Sequence, residues 1–332
     1  MKVLITGGAG FLGRYIVERC LARGYQVVSF QRSDAPDLRA QGVDVRRGSL
    51  TDAQAVADAA AGCDAVFHVA ALAGIWGPYA DYFAANVEGT RHVLGACRAQ
   101  GARYLVYTST PSVVFNRQSF AGADESLPYG RDWLSPYAPT KAQAEQEALA
   151  AHAPGTLEVC ALRPHLIWGV GDPHLLPRVV QRARQGRLRI VGDGQNRVDI
   201  TRVENAADAH LLALDALQAG RAGGKAYFLS QGEPVALWPW VNEVLQQVGV
   251  APLKRKISLR AAHTIGTVAE SIWKTFRLKG EPPMTRFVAL ELAKDHWYDI
   301  SAARRDLDYR PENHPTAEGV EHWAEHYRQQ AR

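Results

Sequence analysis

The chain has 332 residues, 47% of them hydrophobic and 22% charged, with a formal net charge of +4. At about 150 residues per domain, this length suits two domains or one large α/β unit with an appendage, and the composition excludes disordered, collagen-like and disulfide-scaffold proteins. Cys20, Cys63, Cys97 and Cys160 form no C-x-x-C pair, so reduced interior thiols are expected in place of a zinc site or disulfide framework.

Met1-Lys2 runs straight into a strand-like Val3-Leu4-Ile5 with no signal-peptide pattern. The longest membrane-like stretch, 65–80, is too short for a spanning helix and is broken by Gly74, Gly77 and Pro78. A cytoplasmic location without a transmembrane helix is the expectation. Segments 3–6, 26–30, 65–69, 104–109 and 157–162 read as strands, separated by helical patterns at 14–23, 52–60, 86–99 and 139–151. Parallel strands need crossovers, so this alternation predicts an α/β fold with a doubly wound parallel sheet. Beyond it, 163–177 reads as loop, 178–185 as helix, 188–191 as strand, and 203–217 as a helix returning to the main sheet. The expected division is a dinucleotide-binding domain at 1–165 and a smaller C-terminal substrate lobe at 166–332.

Thr6-Gly7-Gly8-Ala9-Gly10-Phe11-Leu12-Gly13 follows the first strand and opens the first helix. A diphosphate needs backbone N–H donors and a helix N-terminus at contact distance, which a Cβ would block. Gly7 suits the turn, Gly10 the close approach and Gly13 the packing of helix on strand. At the end of the second strand, where an acid would accept the ribose 2′-hydroxyl of NAD, stand Gln31-Arg32-Ser33. Arg32 can pair with a 2′-phosphate and Ser33 can donate to it, which favours NADP(H); stacking of Arg32 on adenine would serve NAD as well.

Tyr137 and Lys141, in Tyr137-Ala138-Pro139-Thr140-Lys141, share one helix face, and Pro139 is tolerated in a first turn. A phenol with a pKa near 10 shuttles protons poorly at neutral pH unless a neighbouring cation stabilises its anion. The strand at 104–109 runs into Thr108-Ser109-Thr110 at the sheet's carboxyl edge, where one hydroxyl could donate to a substrate oxygen.

Residues 251–280 hold seven Lys/Arg against Glu270, a net +6 within a chain of +4, so the other residues sum to −2. Such local basicity points to a local anionic partner and away from nucleic acid. Ile265, Val268, Ala269, Ile272 and Phe276 have helical spacing there. Three readings stay open: a core-packed helix, a lid over a lipid-like chain, or a surface helix on an anionic membrane or partner. His322-Trp323-Ala324-Glu325-His326 fits a zinc-protease pattern but has no evident third ligand, so it reads as a solvated helix and no metal is expected. The run Arg178, Arg182, Arg184, Arg187, Arg189 reads as a solvated face or partner surface.

Taken together, T-G-G-A-G-F-L-G at 6–13, H-V-A-A at 68–71, N-V-E-G-T at 86–90, Y-T-S-T at 107–110, Y-A-P-T-K at 137–141 and L-R-P-H-L-I-W-G at 162–169 resemble the extended short-chain dehydrogenase/reductases. The resemblance covers nearly the whole chain. E-P-P-M-T-R-F at 281–287, H-W-Y-D-I at 296–300 and A-R-R-D-L-D-Y-R-P at 303–311 are similar to the 3β-hydroxysteroid dehydrogenase-like branch. P-S-V-V-F-N at 111–116, G-D-P-H-L-L-P-R at 171–178 and G-R-L-R-I-V-G-D-G at 186–194 resemble a bacterial subgroup, the 2-alkyl-3-oxoalkanoate reductases of long-chain olefin biosynthesis.

The resemblance implies an NADP(H)-dependent reduction of a long-chain β-keto acid to the β-hydroxy acid, with a β-lactone synthetase and a decarboxylase acting next. It implies Tyr137 as general acid, Lys141 as ribose anchor, Thr110 (or Ser109, one residue away) as the polarising hydroxyl, and Asn86 as the family's asparagine. Cofactor contacts would fall on Gly7, Gly10, Phe11, Leu12, Gly13, Arg32, Ser33, Ser49, Leu50, Ala70, Ala71, Tyr137, Lys141, Pro164 and Leu166. Ser49 stands where the family has an acid near adenine, and Asp308 where it has a glycine. Arg163, His165 and His174 are candidate cations for the substrate carboxylate, the other reading being that Arg-Pro only fixes a loop. A homodimer through helices 86–99 and 139–151 and at most peripheral membrane association are also expected. A sterol dehydrogenase, a nucleotide-sugar epimerase or dehydratase, and a non-catalytic NADP(H) sensor are the competing functions.

Overall fold

The computed structural model describes residues 1–330. Its central sheet has seven parallel strands: β1 (Lys2–Thr6), β2 (Gln26–Gln31), β3 (Asp44–Arg47), β4 (Ala65–His68), β5 (Tyr104–Thr108), β6 (Glu158–Pro164) and β7 (Ala226–Leu229). Their spatial order is β7-β6-β5-β4-β1-β2-β3, so the winding reverses at β1 and a crevice opens at the carboxyl edge between β1 and β4.

The strand interiors are continuous apolar runs because both faces are covered. Val3, Ile5 and Val27 face the helices Phe11–Ala22 and Val203–Gln218, in a core with Ile16, Val17, Ala206 and Leu214. Leu4, Val28 and Val66 face the helices Ala53–Ala60, Gly89–Gln100 and Tyr137–Ala150, in a second core with Val56, Val93 and Ala144. All four cysteines are free and buried.

Two strands escape the sequence pattern. β3 is an edge strand of polar appearance, Asp-Val-Arg-Arg, with Val45 alone buried among its four side chains. β7 is a four-residue apolar run far along the chain that returns to pair with β6. The helix read at 86–99 begins earlier, as Tyr79–Tyr82, and passes through a π-helical segment, Phe83–Glu88, before Gly89–Gln100. Such π segments widen a helix locally and concentrate at functional sites.

A smaller four-stranded sheet, ordered Val235–Ala236, Arg197–Val198, His296–Tyr298, Phe120–Ala123, borrows its last strand from the first half of the chain. Under this lobe lies a core holding Trp168, Trp238, Trp240 and Trp323. Asp308 sits at φ 58 as the cap of the helix Ser301–Leu307, so it takes the left-handed turn that glycine usually fills. Among the described residues no helix is long and apolar enough to cross a membrane.

Candidate active site

The glycine loop is a backbone cradle. Gly7 takes φ +74 and donates to Phe30 O at 2.8 Å, and Gly10 donates back to Gly7 O at 2.8 Å. Gly10 then caps the helix Phe11–Ala22 without any side-chain cap, leaving the first N–H groups and the positive helix end free for an anion. A Cβ on Gly13 would collide with the Gly7 carbonyl, and one on Gly8 with Ser29 Oγ. Gly8 was not singled out from the sequence; its need is set by a side chain on the next strand. Leu12 is buried in the core and offers only its backbone to the crevice, while Phe11 is half-buried. Across the crevice, the Val69 and Ala70 amides donate to Thr6 Oγ1 at 3.1 Å, which sets Ala70 against the Gly7 turn.

Beyond β2, Arg32 and Ser33 are exposed, and among the described residues Arg32 forms no ion pair. The acids that follow are already engaged, Asp34 with Arg39 and Asp37 with Arg14. Beyond β3, Ser49 Oγ bonds Thr51 Oγ1 at 2.8 Å, and Leu50 packs on Gly89. At the end of β6, Leu166 holds φ +42, a strained value for a branched side chain, with its carbonyl accepting from Thr201 N at 3.3 Å.

Tyr137 opens its helix, and Thr110 caps the short turn Pro111–Val114 just beyond β5. Desolvation pushes the Tyr137 phenol up to about 12, while the Thr110 hydroxyl beside it pulls the other way. Lys141, one turn deeper, is buried, donates to Thr108 O at 2.7 Å and lies 4.1 Å from the centre of the Tyr107 ring. Burial lowers its pKa to about 7, against which Glu145 acts weakly. The expectation that Lys141 lowers the phenol's pKa is therefore corrected for the protein alone: the ammonium is turned to a backbone carbonyl, and burial dominates the phenol. Ser109 is buried, its amide bonded to Leu162 O at 2.6 Å and its Oγ without a partner.

Asn86, on the π segment, fastens the site together. Its Oδ1 accepts from Leu72 N at 2.7 Å, and its Nδ2 donates to Leu72 O and Thr140 Oγ1, each at 3.1 Å. The loop after β4 is thus tied to the helix that carries Tyr137 and Lys141. Behind it, His68 bridges Thr6 Oγ1 (2.8 Å) and Thr90 Oγ1 (3.0 Å), and burial lowers its pKa to about 3, so it is a neutral strut. The motif H-V-A-A carried His68 in plain view, but nothing in the sequence tied it to Thr90.

Of the three expected carboxylate-binding residues, Arg163 and His165 are engaged inside the fold. Arg163 lies on β6, not in a loop, and its guanidinium bonds Glu145 through Nε at 3.0 Å and Nη2 at 2.5 Å, with both side chains buried. Tyr129 OH joins Glu145 Oε1 at 2.8 Å. His165 is buried, bonded to His296 Nδ1 at 2.6 Å, and held neutral by desolvation. His296 in turn bonds Glu291 O at 2.8 Å through Nε2. That 2.6 Å separation is closer than two zinc ligands at about 2.0–2.1 Å in tetrahedral array can stand, so the histidines act as partners to each other. His174 is exposed at a helix start whose amides are capped by Asp172.

A reversed parallel sheet, a glycine cradle and a tyrosine–lysine pair at the same strand edge define a Rossmann-type oxidoreductase of the short-chain dehydrogenase/reductase class, acting on a CH–OH group with a nicotinamide dinucleotide. Within that class the chain belongs to the 3-beta hydroxysteroid dehydrogenase/isomerase family, whose pattern it matches over residues 4–260. It is 52% identical to the 2-alkyl-3-oxoalkanoate reductase of Stenotrophomonas maltophilia, over 94% of this chain and 95% of that one. The protein of the same name from Shewanella oneidensis is 44% identical, over 92% and 81%. A 3 beta-hydroxysteroid dehydrogenase/Delta 5-->4-isomerase of Mycobacterium tuberculosis is 35% identical, over 93% and 86%. Among solved structures, MoeE5 in complex with UDP-glucose and NAD superposes with a TM-score of 0.76 at 26% identity over the full length of both chains.

Proposed function

We propose that the chain reduces the 3-keto group of a long-chain 2-alkyl-3-oxoalkanoic acid with NADPH, giving the 3-hydroxy acid. The observation that carries the chemistry is the meeting of the Tyr137 and Thr110 hydroxyls at the carboxyl edge of the sheet, with Lys141 one turn behind. The substrate class is taken from the two most similar relatives named above. The exposed, unpaired Arg32 beside Ser33 supports NADPH over NADH.

The residues present fit such a cofactor. The uncapped helix start at Gly10–Leu12 would hold the diphosphate, Arg32 and Ser33 the 2′-phosphate, and Tyr137 and Lys141 the nicotinamide ribose. Bound there, the reduced nicotinamide supplies the hydride for the 3-keto carbon. The phenol, raised to about 12, keeps its proton at neutral pH and releases it only to the alkoxide that forms at the carbonyl oxygen. Thr110 donates to the same oxygen as charge builds there, and Asn86 holds the helix and the loop after β4 in register. In this reading residues 1–165, with Val203–Gln218 and β7, hold the dinucleotide, and the rest of 166–332 faces the substrate. A homodimer through the outer faces of Gly89–Gln100 and Tyr137–Ala150 belongs to the same reading.

The decisive experiment follows NADP⁺ reduction with long-chain 2-alkyl-3-hydroxy acids, sterols and UDP-sugars, the hydroxy acids being used because β-keto acids decarboxylate. Turnover with sterols alone refutes the substrate class, and sugar inversion without net cofactor change refutes the reductase.

A further inference from the structure

The helix Leu259–Thr275 has a finished inner face and an outer face that nothing among the described residues covers. On the inside, Ala262, Gly266, Ala269 and Glu270 are buried. Gly266 lies so close to the Thr285–Arg286 backbone that a Cβ would stand 2.7 Å from it, and Glu270 accepts from Arg286 N at 2.7 Å and Nε at 2.8 Å. Ser258 caps the first turn through Ala261 N. The helix is therefore fixed in place, and its other side is a deliberate surface.

That side carries Ile265 (48% exposed), Val268 (53%), Ile272 (40%) and Phe276 (69%) on one narrow stripe, continued by Leu278 (43%). Among the described residues only Met1 and Tyr79 are large hydrophobic side chains of comparable exposure. Beside the stripe, Thr264, Thr267 and Ser271 donate to the carbonyls four residues back at 2.8–2.9 Å, so their hydroxyl protons need no water.

The charge around the stripe has no acid to answer it among the described residues, although Lys256 Nζ donates to Asp193 O at 2.7 Å. Lys254, Arg255, Lys256, Arg260, Lys274, Arg277 and Lys279 are all exposed. None of them forms an ion pair among the described residues, whereas nearby Arg178 and Arg286 have Glu281 and Glu270. Pairing of Ile190–Val191 with Lys256–Ile257 sets exposed Arg189 beside Arg255 and Lys256. A second copy applying the same face would bring like charges together, and an apolar patch on a neutral partner would leave the cations unmatched.

We propose that the helix Leu259–Thr275 and its basic flanks dock on an anionic lipid bilayer, with the apolar stripe at the boundary between headgroups and acyl chains. The docked surface adjoins the crevice, because Lys274 Nζ lies 5.6 Å from the centre of the Trp76 ring in the loop that Asn86 anchors. The proposal goes beyond the ketoreductase reading and does not depend on it.

The test is flotation of the intact protein with vesicles of equal parts phosphatidylglycerol and phosphatidylcholine, against vesicles of phosphatidylcholine alone, at low and high salt. Binding is expected only with phosphatidylglycerol and is expected to fall with salt. Each cation removed by a Lys→Gln or Arg→Gln change should weaken it about fivefold. The double variant Ile265→Ser/Phe276→Ser should abolish flotation and leave the melting temperature unchanged, since both side chains are exposed. No flotation, or flotation indifferent to that double variant, overturns the proposal. A dimer in solution that the same variant dissociates also overturns it, in favour of a second copy.

Discussion

At the carboxyl edge of the central sheet, Lys141 is buried with no ion pair, its ammonium on the Thr108 carbonyl and the Tyr107 ring, whereas along Leu259–Thr275 and its flanks seven cations stand exposed without an acid. Both regions hold positive charge that the chain leaves uncompensated, one stripped of water and one bathed in it. Arg163 shows the contrast: it lies on the strand next to β5, but Glu145 neutralises it, and it serves the fold. Uncompensated charge marks where a ligand completes the molecule, while compensated charge marks structure. The buried case calls for one small, oriented partner, and the exposed case for an extended anionic surface.

The difference breaks most directly at Tyr137. Tyr137→Phe removes the proton but not the ring, so turnover should fall by about 10²–10⁴ while cofactor affinity, measured by fluorescence titration, falls by no more than the roughly tenfold that one lost ribose hydrogen bond explains. An active phenylalanine variant would strip the crevice of its assigned chemistry. Glu145→Ala tests the compensated pair. It leaves the Arg163 guanidinium buried without its anion, and denaturant unfolding should register a loss of about 3–5 kcal/mol. A loss under 1 kcal/mol would mean that Arg163 finds other partners and is not held for structure. At Arg32, removal by Arg32→Ala should cut the preference for NADPH over NADH by about tenfold to a hundredfold, read from the ratio of kcat/KM for the two cofactors. An unchanged ratio would return Arg32 to stacking on adenine.

How far these roles could be read in the sequence depends on how local their causes are. The glycine cradle and the Tyr137–Lys141 spacing are set by backbone periodicity over a few residues, and the chain order of strand, loop and helix displays them. β7 and Phe120–Ala123 were hidden because each is a short run whose partner lies far away in the chain, β6 for one and His296–Tyr298 for the other. Arg163 misled for the same reason. Its neutralising partner sits eighteen positions back on the helix Tyr137–Ala150, and only the pairing distance separates a substrate clamp from a core ion pair. The basic helix was legible as charge and spacing, but whether its stripe faced inward depended on Gly266 and Glu270, which direct the opposite side against Thr285–Arg286.

The smallest effect concerns Lys141 itself and has a definite sign. Its pKa falls from an ordinary lysine value to about 7 on folding, because burial penalises the ammonium. Between pH 7 and the ordinary lysine range the unfolded chain therefore binds more protons than the folded one at this group, which adds a stability gain with pH of at most about 1.4 kcal/mol per pH unit. The buried thiols act in the opposite direction once unfolded cysteines begin to ionise, since burial raises Cys20, Cys97 and Cys160. From pH 7 to about 8, below the usual thiol pKa, Asp199, raised by burial to about 7, and the buried His68, His165 and His210, lowered by burial, also contribute, so Lys141 is read as the difference between two slopes. Denaturant unfolding of the cofactor-free protein across that window should give a slope that Lys141→Met makes less positive, because methionine fills the same channel without a charge to desolvate. An identical slope in the variant would mean that Lys141 keeps its proton in the folded chain. The buried cation would then be compensated after all, and the contrast with the exposed segment would lose its buried half.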